Sequence, residues 1–96
     1  MKVYLKVHMN ENIETIACCD AELLNHVFKE GNLRIEISNH FFGGKLVNLE
    51  EAILILENAS YFNIVGEKII KKAIESEIIQ QYKTICGIPM ALKMMF

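Results

Sequence analysis

The sequence contains no tryptophan, a single proline and three cysteines. An odd cysteine count, with Cys18 and Cys19 adjacent and Cys86 alone, does not make a disulfide framework. Free thiols point to a reducing compartment, and the expected setting is the cytoplasm. Long apolar runs are missing too. The longest, Ala52 to Leu56, is five residues, well short of the ~18 that a membrane-spanning helix needs. The opening Met1-Lys2-Val3-Tyr4-Leu5-Lys6 is too broken by charge to read as a secretory signal. Positive charge is not in excess either. Ten Lys and Arg stand against twelve Asp and Glu, a net charge of −2, so no global field gathers nucleic acid or anionic lipid.

What is present suits one domain over residues 1–96. A chain of this length buries roughly two-thirds of the surface that its unfolded form exposes, enough for one core. Its 52% apolar and 23% charged residues are ordinary for a globular protein.

The N-terminal stretch alternates strictly. Val3, Leu5 and Val7 share one face and Lys2, Tyr4, Lys6 and His8 the other, as in a half-buried strand. Asn10-Glu11-Asn12 is turn chemistry, and Ile13 to Cys18 returns as the second strand of a hairpin. Asp20 reads as the N-cap of a short helix carrying Leu23, Leu24, Val27 and Phe28 on one stripe and ended by Gly31. Leu33, Ile35 and Ile37 alternate with Arg34, Glu36 and Ser38 in a third strand. Asn39 to Val47 reads as an irregular loop around Gly43-Gly44. Asn48, with Glu51 three residues on, resembles a capping box for a helix that buries Leu49, Ala52, Ile53 and Leu56.

The stretch from Asn63 to Ile79 organises the rest. Ile64, Ile69 or Ile70, Ala73, Ile74 and Ile78 recur three and four residues apart, one stripe on the longest helix. Gly66 falls in its first turn, where glycine costs roughly 1 kcal/mol against alanine. A close approach to neighbouring backbone is the plain reason for accepting that cost. Lys83 to Cys86 is a short strand, Gly87-Ile88-Pro89 a turn, and Met90, Leu92 and Met94 alternate with Ala91, Lys93 and Met95 in a last strand. The order β-β-α-β-α-α-β-β predicts an α+β two-layer sandwich, a mostly antiparallel sheet with three helices on one face.

Five stretches together resemble a known family: Cys18-Cys19-Asp20-Ala21-Glu22-Leu23-Leu24, Phe28-Lys29-Glu30-Gly31-Asn32-Leu33, Phe42-Gly43-Gly44, Asn63-Ile64-Val65-Gly66-Glu67 and Gly87-Ile88-Pro89. The family is a small archaeal one, catalogued as domain of unknown function 424. Order and spacing carry the resemblance, over nearly the whole chain. It implies a compact two-layer domain, an archaeal cytoplasmic setting, company with translation genes and no established activity. Relatives often carry a histidine after the Gly-x-Pro, where this chain has Met90, so chemistry resting on that histidine does not transfer.

Three surfaces are candidates for function. The first joins Phe41, Phe42, Gly43, Gly44 and Lys45 to Met94, Met95 and Phe96. Apolar groups in a glycine loop and a final strand suit a protein partner or a second copy of the chain, and methionine-rich surfaces adapt readily. Core packing is the plainer account of some of them. The second is the polar side of the sheet, with Lys2, Tyr4, Lys6, Arg34 and Lys93, which suits RNA or the ribosome. RNA-binding sheets usually add several stacking aromatics, whereas Tyr4 stands alone here, and a solvated face is the plainer account. The third is a helix-start anion site at Asn63 and Gly66, a property that any helix start shares.

Other chemistry is weaker. Gly43-Gly44-Lys45 lacks the phosphate-loop pattern and reads as a turn. Adjacent cysteines on a strand face opposite ways, so Cys18 and Cys19 do not share an ion, and neither a metal nor a cofactor is expected. The charge of Asp20 works against a reactive thiolate beside it. The expected function is a non-enzymatic binding domain. An RNA- or ribosome-associated factor comes second, and a small enzyme using a cysteine or the anion site third.

Overall fold

The structure is a computed structural model, and it describes residues 1–94. Its elements in chain order are β1 (Lys2–Asn10), β2 (Ile13–Asp20), a 3₁₀ turn (Ala21–Leu23), β3 (Val27–Glu30), β4 (Leu33–Glu36), α1 (Asn39–Phe42), β5 (Lys45–Asn48), α2 (Leu49–Glu57), β6 (Phe62–Val65), α3 (Glu67–Glu75), β7 (Lys83–Ile85) and β8 (Ile88–Lys93). The β1–β2 hairpin forms as the alternation predicts, in register from Val3 opposite Asp20 to Asn10 opposite Ile13. Glu11 and Asn12 join the strands with φ of 53° and 69°, the left-handed pair that a two-residue hairpin turn demands.

Around this hairpin the main sheet runs β5-β1-β2-β6-β8-β7. Only β2 and β6 are parallel; the other neighbours are antiparallel. On one face Val3, Leu5, Ile16, Cys18, Phe62 and Ile64 meet α2 and α3, which bring Leu49, Ala52, Ile53, Leu56, Ile69, Ile70 and Ala73. On the other face Ala17, Cys19 and Val65 meet Ile37 and Phe42, with Leu23, Phe28 and Ile35 packed beside them. The α+β class and the mostly antiparallel sheet are as expected. No helix among the described residues is long and apolar enough to cross a membrane.

Several elements differ from expectation, each for a physical reason. Asn63–Val65 is extended, in β6, and α3 starts only at Glu67. Phe62, Ile64 and Val65 are buried on both faces between β2 and β8, and a strand covered on both sides shows no helix-versus-strand period. The helix expected after Asp20 shrinks to the 3₁₀ turn, and Val27 and Phe28 belong to β3. Gly31, at φ 59°, turns β3 into β4 rather than ending a helix; a positive φ serves both purposes. The strand from Leu33 pairs only with β3, in a separate two-stranded sheet, which leaves Leu33 55% exposed while Ile37 is buried.

The expected loop from Asn39 contains α1 and the start of β5, and α1 packs on the face opposite α2 and α3, so the three helices do not share one face. Ser38 caps α1, its Oγ accepting from the Phe41 amide at 3.1 Å. Asn48 precedes α2 but makes no side-chain cap.

Candidate functional site

Asp20 is the buried charged residue among the described residues, 2% exposed. It ends β2, yet it gives no side-chain cap to the 3₁₀ turn beside it. Its carboxylate instead reaches the start of α3. Oδ2 accepts from the Lys68 amide at 2.8 Å and Oδ1 from the Ile69 amide at 3.0 Å. This fills two of the donors that every helix start leaves unpaired. Gly66, at φ 127°, lies between strand and helix. A Cβ there would sit 2.6 and 2.7 Å from the two Asp20 oxygens, so the close approach that this glycine implies is to Asp20. The Gly66 amide donates to the Pro89 carbonyl at 2.9 Å. Three of the five stretches that carry the family resemblance therefore meet at one junction of β2, β6 and β8.

The junction's electrostatics follow from this geometry. Burial raises the Asp20 carboxyl above its ordinary value, against the Lys68 and Ile69 amides, which lower it. Lys68 Nζ lies 2.9 Å from Glu22 Oε1, and its hydrogen bond holds Glu22 below the usual carboxylate range. A cleft of about 220 Å³ opens beside these groups, between Leu23, Glu67 and Pro89. Both oxygens of Asp20 are engaged, so it is not a free base. The same carboxylate occupies the helix-start donors, and Asn63 lies back in β6 rather than beside them. Cys18 and Cys19 are fully buried. Burial drives Cys18 upward, and burial together with Asp20 pushes Cys19 up to about 12, so both thiols are protonated at neutral pH.

The other candidate residues are dispersed. Phe42 is buried in the second core. Phe41 stacks on His8 with ring centroids 4.7 Å apart and meets Phe42 edge to face at 4.9 Å. His8 Nε2 donates to the Phe41 carbonyl at 2.8 Å, and Lys6 Nζ to the His40 carbonyl at 2.6 Å. These bonds hold α1 down on β1. Gly43 and Gly44 link α1 to β5, where Lys45 is exposed. Of the candidate RNA residues, Lys2 is exposed and Tyr4 is packed against the second core. Arg34 belongs to the separate sheet. Lys93 lies on the opposite face from Tyr4 and Lys6, its Nζ donating to the Ala59 carbonyl at 2.9 Å and 5.9 Å above the Phe62 ring. The five do not form one surface.

The C-terminal strand offers more. β7 begins at Lys83, opposite Met90, so among the described residues Ala91, Leu92 and Lys93 have β6 on one side and no strand on the other. A cleft flanks this free edge on each side. One, about 520 Å³, is lined by Asn63, Tyr82, Lys83, Ile85, Met90 and Leu92 among others. The second, about 350 Å³, is lined by Phe62, Ile78, Ile79, Lys93 and Met94 among others. Gln81, Ala91 and Leu92 border both. Leu92 is 64% exposed, Met94 54% and Tyr82 50%. Met95 and Phe96, also candidates for this surface, lie outside the described residues. Sequence reasoning reached β8 through its alternation, but missed Tyr82 and Asn63, which only the folded chain brings to it.

Comparisons agree with this architecture. A crystal structure of an uncharacterized conserved protein from Methanopyrus kandleri superposes with a TM-score of 0.77 and 21% identity, covering 96% of this chain and 90% of that one. At that identity the likeness shows the fold alone. No curated protein matches the chain. The model of the family described as "Protein of unknown function (DUF424)" matches residues 7–86. With that match spanning most of its length, the chain belongs to the DUF424 family.

Proposed function

We propose that this protein is a non-enzymatic binding domain that receives a protein partner along the free edge of β8. The observation that carries this reading is the stretch Ala91–Lys93, paired with β6 on one side only and lying between two clefts, with exposed Tyr82, Leu92 and Met94 around it. An unpaired strand edge is a template for pairing unless it is blunted or covered. The aromatic groups of the Phe41–Lys45 segment are used in the domain's own packing, which leaves the C-terminal strand as the stronger half of the expected interface. An RNA-associated role has no comparable support, since Lys6 and Lys93 are engaged by backbone carbonyls on opposite faces of the sheet.

The test compares the wild type, Leu92→Asp and a control, Leu46→Asp, on the far edge strand β5. Light scattering at two concentrations follows self-association, and pull-down from native lysate follows other partners. Loss of association in Leu92→Asp alone supports the reading. Association that survives Leu92→Asp unchanged refutes it.

A further inference from the structure

We infer that the occupant of the β8 edge is an extended peptide segment that places apolar residues flanked by carboxylates beside Ala91–Lys93, adding a strand to the sheet. This rests on the reading of that edge as the docking site and adds the chemistry of what docks there.

The geometry supplies the argument. Along a strand, successive side chains point to opposite faces. A guest strand beside β8 would send alternate side chains into the two clefts. Met90 and Leu92 share a sheet face with Asn63 and Val65, and Ala91 and Lys93 share the other with Phe62 and Ile64. The larger cleft therefore offers a mainly apolar wall to one set of guest side chains, and the smaller a mixed polar and apolar wall to the other. Ala91 and Lys93 turn their main-chain groups to Ile64 and Phe62 of β6, so Leu92 presents its N–H and C=O to the open edge, and pairing with such groups is the usual source of affinity in strand addition.

Charge selects the occupant. Among the described residues, the lining of the larger cleft contains Lys83 and no carboxylate, and that of the smaller contains Lys93 and no carboxylate. Lys83 is exposed, and its ammonium group makes no hydrogen bond or ion pair among the described residues. Lys93 gives one hydrogen bond to Ala59, and an ammonium group carries three donors. The chain as a whole is acidic, with a net charge of −2, so this basic edge is a local departure. A second copy fits it poorly. Two β8 strands paired about a two-fold axis would gather two copies of Lys83 and Lys93 with no lining carboxylate among the described residues to offset them, and like charges across a strand pair destabilise it. Acidic groups on a guest meet these lysines instead, raising the encounter rate and fixing the register.

The experiment titrates the full-length, ¹⁵N-labelled protein with two synthetic peptides. Both have a Val-Thr-Val-Thr-Val core; one carries two glutamates at each end, its twin two lysines. The acidic peptide is expected to shift the amides of Ala91, Leu92 and Lys93 and to bind at least about tenfold tighter than its twin at low salt. That gap narrows as salt screens the charges, and Lys83→Glu narrows or reverses it. Equal binding of both peptides at these amides overturns the charge inference and leaves the docking reading standing. No shift with either peptide overturns both. A concentration-dependent shift of the same amides without peptide assigns the edge to a second copy and overturns the inference.

Discussion

Replacing Gly66 by alanine separates two physical accounts of one residue. If Gly66 were an ordinary first-turn helical position, alanine would stabilise the protein by up to about 1 kcal/mol. The structure predicts the opposite sign. At φ 127° and ψ 152°, Gly66 occupies a region essentially restricted to glycine, where another residue costs about 1–3 kcal/mol. The new Cβ would also lie 2.6 and 2.7 Å from the Asp20 oxygens, so the carboxylate must move. Moving it breaks the bonds from the Lys68 and Ile69 amides, and leaving a buried group unpaired costs about 1–3 kcal/mol, more when it is charged. Together these effects remove about 2–6 kcal/mol from a domain whose whole stability is of order 5–15 kcal/mol. Urea denaturation reads this directly, and the thermal midpoint falls by at least about 8 °C. Asp20→Ala supplies the control. With the carboxylate gone, Gly66→Ala costs only the backbone strain, so the double variant is less destabilised than the two single effects predict. A loss below about 1 kcal/mol in Gly66→Ala, or strict additivity with Asp20→Ala, would refute the reasoning.

Further expectations concern neighbouring groups. Asp20 titrates above its unfolded value of 3.8 and Glu22 below its unfolded value of 4.5. By linkage, Asp20's titration adds most stability below 3.8, and that part is lost as pH rises through its folded pKa. The part from Glu22 is present above 4.5 and is lost as pH falls through its folded pKa. Carboxyl-detected NMR titration checks both directions, and finding Asp20 below Glu22 would count against the buried junction. Thiol labelling of the native protein should find one accessible cysteine, Cys86, with Cys18 and Cys19 reacting only on unfolding; fast reaction at all three excludes the burial described. Phe42→Ala should cost about 3–5 kcal/mol in urea denaturation, as for other buried aromatics, whereas Phe41→Ala costs less because Phe41 is only half-buried. Equal losses would mean that α1 is not packed as described.

Local patterns were legible where one face of an element meets the core and the other does not. β1 and the stripe of α2 are of this kind, since Val3 and Leu5, or Leu49, Ala52, Ile53 and Leu56, fall inward at the period of their element. β6 was hidden for the opposite reason. Phe62, Ile64 and Val65 are all buried, and the strand runs through Gly66 into a helix whose inward residues are Ile69, Ile70 and Ala73. The spacing from Ile64 to Ile69 thus imitates a continuous stripe. Gly66 marked the boundary all along. Its cost as a helical residue vanishes once it stands outside the helix, at a φ that glycine alone adopts readily.

The same residue shows why the junction was invisible. Asp20 is followed by Ala21 and Glu22, which is what a local cap looks like in sequence. The amides that it caps lie 48 and 49 residues further on, and a hydrogen bond over that distance leaves no period to detect. The consequence reaches β8. Gly66, held against Asp20, donates its amide to Pro89 near the start of that strand, while β7 supports it only as far as Met90. β8 is therefore fixed at one end and unpaired on one edge at the other. A strand held in extended form before its guest arrives has little ordering cost left for binding to overcome, and that is the condition under which a short free edge can hold a partner by main-chain pairing.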